Sequence, residues 1–219
     1  MSAVLISYSQ PPEGAVSIQE SVAYCARVSN PANQNNVGTS DGLLKYLMKH
    51  HHWSPFEMVS ICLEIETTRD IARQILRHRS FSFQEFSQRY AVADLGFVTK
   101  EARLQDYKNR QNSLESNDTL LNQSWQEKQK ELAEHSQKAY EWALENGIAK
   151  EQARAVLPEG MTMSRMYMNG TLRSWIHYIQ LRTKPDTQKE HRAVALACAT
   201  AIAPIYPAIF ELLSSYSEI

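Results

Sequence analysis

Residues 59–66 alternate without a break, with Val59, Ile61, Leu63 and Ile65 set against Ser60, Cys62, Glu64 and Glu66. Successive side chains of a strand point to opposite faces, so this run predicts a strand with one face buried and one face wet. The period then changes at once. From residue 68 to residue 77, Ile71, Ala72, Ile75 and Leu76 recur at helical spacing, and Arg69, Arg73 and Arg77 stack at i, i+4 and i+8. A half-buried strand feeding an arginine-striped helix makes a mixed α+β arrangement the economical reading.

The remaining elements follow from the same two periods. Residues 4–7 read as a short strand. Ser17 with Glu20 forms a capping-box pattern opening a helix to about Val28, with Ile18, Val22 and Cys25 on one face. Residues 30–38 are turn-rich, after which Ser40 is expected to cap a second helix carrying Leu43, Leu44, Leu47 and Met48. Residues 93–116 have weak periodicity and read as a surface excursion. A long amphipathic helix is expected over 117–146, with Gly147 as its stop. A shorter helix carries Arg154 and ends before Pro158, residues 161–168 are a candidate strand, and Thr171 opens a helix ending near Arg182. Residues 187–217 are apolar and helical, interrupted at Pro204 and Pro207. No repeat or low-complexity linker divides the chain, so one domain spanning 1–219 is expected.

Composition excludes several classes. With 219 residues, 43% hydrophobic and 21% charged, the chain can bury an ordinary core without disulfides or a structural metal. Its glycines, at 14, 38, 42, 96, 147, 160 and 170, allow neither a G-x-G-x-x-G fingerprint nor a Walker A loop. A formal net charge of −1 argues against a general nucleic-acid coat. Cys25, Cys62 and Cys198 are odd in number and widely spaced, which fits a reducing compartment. With neither a signal-peptide pattern nor an apolar run of membrane length, the expectation is a cytoplasmic protein off the membrane.

The chemistry concentrates in Arg77-His78-Arg79-Ser80-Phe81-Ser82-Phe83-Gln84-Glu85-Phe86-Ser87-Gln88-Arg89. Arginine offers five donors in a fixed fork suited to phosphates and to the edges of planar heterocycles, and Phe81, Phe83 and Phe86 could pack beneath a flat ring. Two plainer readings stand beside this: a solvated basic helix end, and a nucleic-acid-binding module using the stripe Arg69, Arg73 and Arg77. A second cluster, Arg173, His177 and Arg182 with Arg154 on a preceding helix, suits phosphorylated ligands lying side by side. His50, His51 and His52 are consecutive and so expected to point apart, which makes them no metal site. No nucleophile with an evident base partner is legible, which suggests that a cofactor carries the difficult chemistry.

The run Arg77-His78-Arg79, seven residues, then Ser87 resembles the signature of the flavin-dependent thymidylate synthases. The flanks are similar as well: Ala23-Tyr24-Cys25-Ala26-Arg27-Val28-Ser29, His52-Trp53-Ser54-Pro55-Phe56-Glu57, Gln74, Glu85, Arg89, Thr171-Leu172-Arg173-Ser174-Trp175 and Leu181-Arg182. One departure is Gln84, where the family usually has asparagine, which moves that amide outward by one methylene. The resemblance implies an α+β fold, a small mostly antiparallel sheet flanked by helices, with a long helix at a subunit interface. It implies reductive methylation of dUMP, with methylenetetrahydrofolate as carbon donor, FAD as cofactor and NADPH as reductant. It sets FAD against Ser54, Arg77, His78, Arg79, Glu85, Thr171, Arg173 and His177, and dUMP against Gln74, Arg77, Glu85, Ser87, Gln88, Arg89, Arg154 and Arg182. Arg182 is implied as the electrostatic activator of the pyrimidine, His52 as a group that positions folate or moves a proton, and the assembly as a homotetramer with sites shared between subunits.

Overall fold

A computed structural model describes residues 1–10 and 17–210. Strand β2 (Ser60–Thr68) is the axis of the fold: Ile61, Leu63 and Ile65 are buried while Cys62, Glu64 and Glu66 are partly exposed, as the alternation predicts. It pairs antiparallel with β1 (Ser2–Tyr8) on one side and β6 (Met163–Thr171) on the other, and β6 carries β3 (Phe81–Glu85) on its far edge. The resulting order is β1-β2-β6-β3. Leu63 lies opposite Met168 and Ile65 opposite Met166, so the buried stripes of the two central strands share one face.

That face is covered by α3 (Arg69–Ile75), α6 (Leu172–Arg182) and α7 (Lys189–Ile202), through Ile71, Ile75, Trp175, Ile179, Val194, Cys198 and Ile202, all fully buried. Removing such a side chain from water stabilises the fold by about 1.5–3 kcal/mol. The opposite face stays polar: Arg165 Nε and Nη2 donate to Glu66 Oε1 at 3.0 and 2.7 Å. Phe81 is a core residue rather than the floor of a ligand site. Its ring packs edge-on to Trp175 at 4.8 Å and lies against Gly170, its register partner on β6, where an added Cβ would meet the ring at 2.4 Å.

Of the first two helices, one opens where expected and one does not. Helix α1 (Ile18–Ala26) opens as predicted, with Ser17 Oγ accepting from the Glu20 amide. Helix α2 (Ser40–Lys49) begins one residue early, with Thr39 as its cap residue. The Thr39 hydroxyl is already taken, accepting from Arg27 Nη2 at 2.8 Å, and Ser40 Oγ lies buried without a partner among the described residues. The stretch expected as a surface excursion contains a hairpin, β4 (Arg103–Gln105) with β5 (Ser113–Glu115). Its turn is held by the Asp106 carboxylate, which accepts from Lys108 N, Asn109 N and Asn112 Nδ2.

The long helix is α4 (Thr119–Glu145), 27 residues, started by Asp118 accepting from the Leu121 amide and stopped at Gly147 with φ 76°. It buries Gln129, Ser136, Tyr140 and Ala143 and exposes Leu120, Trp125, Leu132 and Trp142. A second small core joins it to α5 (Lys150–Ala153) through Tyr140, Ala143 and Ala153. The expected helix over 187–217 is α7 followed by a 3-10 turn at Pro207–Ile209; residues 211–217 lie outside the described residues. No helix among the described residues is long and apolar enough to cross a membrane.

Candidate active site

Helix α3 ends at Ile75 and β3 begins at Phe81, so Arg77, His78 and Arg79 occupy the turn between them. Helix α6 holds this turn at two points. Ser174 Oγ donates to Ser80 O at 3.3 Å near the start of α6, and Arg182 Nε donates to His78 Nε2 at 2.9 Å in its last turn. A guanidinium nitrogen cannot accept, so His78 Nε2 is bare and the ring proton sits on Nδ1. Burial first, and the Arg182 charge second, push His78 down to about 4, so the imidazole is neutral at neutral pH. Arg182 spends its Nε–H on that ring and keeps both terminal amines. Arg182, Arg77 and Arg79 have no carboxylate partner among the described residues, and Arg77 and Arg79 are exposed.

Behind this turn lies a polar chain, buried at Tyr178 and His191 and half-buried at Gln74, Gln188 and Glu190. His191, fully buried, meets Tyr178 Oη through Nε2 and Gln74 Oε1 through Nδ1, both at 3.2 Å. Gln74 Nε2 donates to Gln188 Oε1 at 2.7 Å, and Gln188 Nε2 donates to Glu190 Oε2 at 2.9 Å. Burial, then the charges of Arg182 and His78, lower His191 to about 3. Of this chain only Gln74 is identified by the sequence. Polar Gln188, Glu190 and His191 opening an otherwise apolar helix were the available signal, and the contact that gives them meaning is made across the fold.

The other expected site residues fall into two further groups. At the start of α6, Thr171 Oγ1 accepts from the Ser174 amide, Arg173 pairs with Glu57, and the His177 ring stands edge-on to Trp53 at 4.6 Å. Burial first, then Arg173, lowers His177. Ser54 is exposed at the head of the 3-10 turn Ser54–Met58, and His52 is exposed beside it. His50 and His52 do not point apart: both rings gather about Tyr46, at 4.2 and 6.3 Å, while His51, with φ 58°, stands by Trp53. In the other group, Glu151 joins two arginines, its carboxylate accepting from Arg89 Nε and its carbonyl from Arg154 Nε, each at 3.2 Å. Ser87 is exposed next to buried Gln88, whose Nε2 has no partner among the described residues. Glu85 Oε1 takes hydrogen bonds from Ser164 Oγ at 2.8 Å and Arg69 at 3.4 Å.

The arginine stripe on α3 is not a free cationic face. Arg69 is paired with Glu85 and Arg73 with Glu159, leaving Arg77 alone. A cavity of about 720 Å³ lies between the β4–β5 hairpin, α4 and the start of α7, with Gln188 and Arg103 in its wall. Its cations are largely matched, Lys100 by Asp70, Arg103 by Glu190, and Lys189 by Glu101 and Glu115.

The family described as Thymidylate synthase complementing protein matches residues 5–208. A probable flavin-dependent thymidylate synthase of Paramecium bursaria Chlorella virus 1 is 50% identical over 214 residues, covering 97% of this chain and 99% of that protein. The flavin-dependent thymidylate synthase of Synechocystis sp. is 50% identical over 202 residues, 92% of this chain and 89% of its own. Among solved structures, the UMP/dUMP methylase PolB from Streptomyces cacaoi bound with 5-Br dUMP superposes with a TM-score of 0.82 at 30% identity, over 100% of this chain and 96% of that one. The chain belongs to the flavin-dependent thymidylate synthase family. It is therefore an enzyme of the methyltransferase class with FAD as cofactor, in a family whose co-substrates are a folate and NADPH. The donor set here fits an anionic dinucleotide. Arg77 and Arg79 present unmatched forks on an exposed turn.

Proposed function

We propose that the chain methylates dUMP reductively, taking the carbon from methylenetetrahydrofolate and the electrons from NADPH, with Arg182 as the group that favours the ionised uracil. FAD, when bound, supplies the hydride that completes the methyl group. The observation that carries the reading is the state of Arg182: a half-buried guanidinium with no carboxylate partner among the described residues, resting on a neutral imidazole with both terminal amines available. Arginine stays protonated at working pH, so it stabilises developing negative charge on the ring and does not act as a general base.

Ser54, Arg77, His78, Arg79, Glu85, Thr171, Arg173 and His177 hold FAD in this reading. Gln74, Ser87, Gln88, Arg89 and Arg154, together with Arg77 and Glu85, hold dUMP, and His52 orients folate or moves a proton. These residues form separate groups on one chain, and α4 exposes Trp125, Leu132 and Trp142, which supports a homotetramer whose subunits complete one another's sites. Light scattering should give a mass near four times the 25.0 kDa chain; a mass of one chain at assay concentration overturns the shared site.

The decisive experiment is single-turnover dTMP formation from pre-reduced enzyme with dUMP and methylenetetrahydrofolate saturating. Arg182→Ala should bind FAD normally, accept electrons from dithionite, and lose about 100-fold or more in rate, the cost of removing one preorganised donor at a developing anion. A near wild-type rate removes Arg182 from the chemistry.

A further inference from the structure

The polar chain behind the Arg77–Ser80 turn has a direction, and one end of it sets that direction. Glu190 lies in an ion pair with Arg103. Burial alone would raise its carboxyl, but the Arg103 hydrogen bond, its own backbone N–H and Gln188 together hold it below the usual range. It is therefore a carboxylate and only an acceptor. Gln188 must then turn its Nε2 toward Glu190 and its Oε1 toward Gln74. Gln74 in consequence gives its Nε2 to Gln188 and presents its Oε1 to His191, which donates from Nδ1. The bare Nε2 of His191 is left to accept from the Tyr178 hydroxyl. The links fix both amide directions and the proton on Nδ1, and burial first, then Arg182 and His78, push His191 down to about 3, which leaves its Nε2 bare.

We infer that His191 is a positioning residue for Gln74, and that the Arg103–Glu190 pair fixes, through Gln188, which way round the Gln74 amide faces. With both of its inner contacts used, Gln74 keeps one N–H and one carbonyl lone pair in a set arrangement for a ligand. With the amide turned over, these exchange places and donor meets donor. The side chain that the proposed function sets against dUMP is thus oriented from α7 and β4, by residues to which that function assigns no ligand; the inference rests on that reading of Gln74.

The test uses the FAD-loaded enzyme and His191→Leu and His191→Asn, each shown to be folded by circular dichroism and by an unchanged FAD dissociation constant. Leu deletes both ring contacts, and the KM for dUMP should rise about tenfold, the scale of one lost hydrogen bond, with a smaller change in kcat. The Asn side-chain N–H can stand where the imidazole Nδ1–H stood, so His191→Asn should recover most of the loss. Equal impairment in both variants, or a wild-type KM in His191→Leu, overturns the positioning role. If His191→Leu does not fold, Glu190→Gln serves instead: an amide there no longer dictates direction, and the KM should rise in the same way. Side-chain ¹⁵N NMR of the wild type reads the chain without any turnover, and His191 should show protonated Nδ1 and bare Nε2. The opposite tautomer, which has no Nδ1–H to give to Gln74, defeats the inference while leaving the proposed function standing. An unchanged dUMP KM in Gln74→Ala defeats the placement of Gln74 against dUMP, and the positioning role with it, whatever the tautomer.

Discussion

Each end of α6 sets an arginine near a histidine, and the two ends are chemically unlike. At the start, Arg173 is neutralised by Glu57 with both side chains 41% exposed, and His177 packs on Trp53. At the finish, Arg182 meets no carboxylate among the described residues and donates instead to the neutral His78. The same residue types thus make a charge-balanced bracket at one end and an unspent cation at the other. The difference comes from the neighbours: Glu57 sits on the turn beneath the first end, while the second faces the turn after α3, which brings imidazole and not carboxylate.

The contrast can be broken in order of expected effect. Beyond Arg182→Ala, the largest change should come from Arg79→Ala, whose guanidinium has no internal use. Each charge-assisted bond lost from the FAD phosphates should weaken cofactor binding by about 1.5–3 kcal/mol, read by flavin fluorescence titration. An unchanged dissociation constant detaches Arg79 from the cofactor. Next in size is acid sensitivity. His78 at about 4 and His191 at about 3 lie below the value of about 6.5 for free imidazole, so the unfolded chain binds protons that the folded one refuses. Their contribution is complete above about pH 6.5 and is lost as pH falls toward those folded values, at no more than about 1.4 kcal/mol per pH unit for each. The melting temperature should drop over that window, and less so in His191→Asn. The smallest effect belongs to Glu57→Gln. Breaking an exposed ion pair should change stability by less than about 1 kcal/mol in urea melts, and a loss well above that would make the first end of α6 structural.

What the sequence made legible was whatever is local. The alternation at 59–66, the Ser17 and Thr171 caps and the Gly147 stop each depend on a few neighbouring residues, and each is found where expected. Ser40 is not the cap residue but already lies inside the helix, and the hydroxyl of Thr39, which takes the cap position, accepts from Arg27 instead of from the helix. The α3 stripe looked like a single cationic face because helical spacing cannot see Glu85 and Glu159, which are 16 and 86 residues away from their partners. Phe81 was misread as a ligand platform for the same reason: its fate depends on the missing Cβ of Gly170 across the strand pair. The site motif itself was visible as a chemical oddity. The polar chain through His191 was not, since its members lie up to 117 residues apart and acquire their meaning only by contact.

The two attachments of the Arg77–Ser80 turn to α6 amount to a length gauge. Ser174 and Arg182 stand eight positions apart on a rigid helix, about 12 Å at 1.5 Å per residue, and they grip Ser80 and His78 respectively. A residue inserted between those two points would let only one grip close, and a deletion would pull Phe81 away from Gly170. Both attachments depend on the number of residues in this turn. Substitutions at Arg77 or Arg79 leave both attachments in place, whereas a change of a single position in the turn's length would unseat Arg182 without touching it.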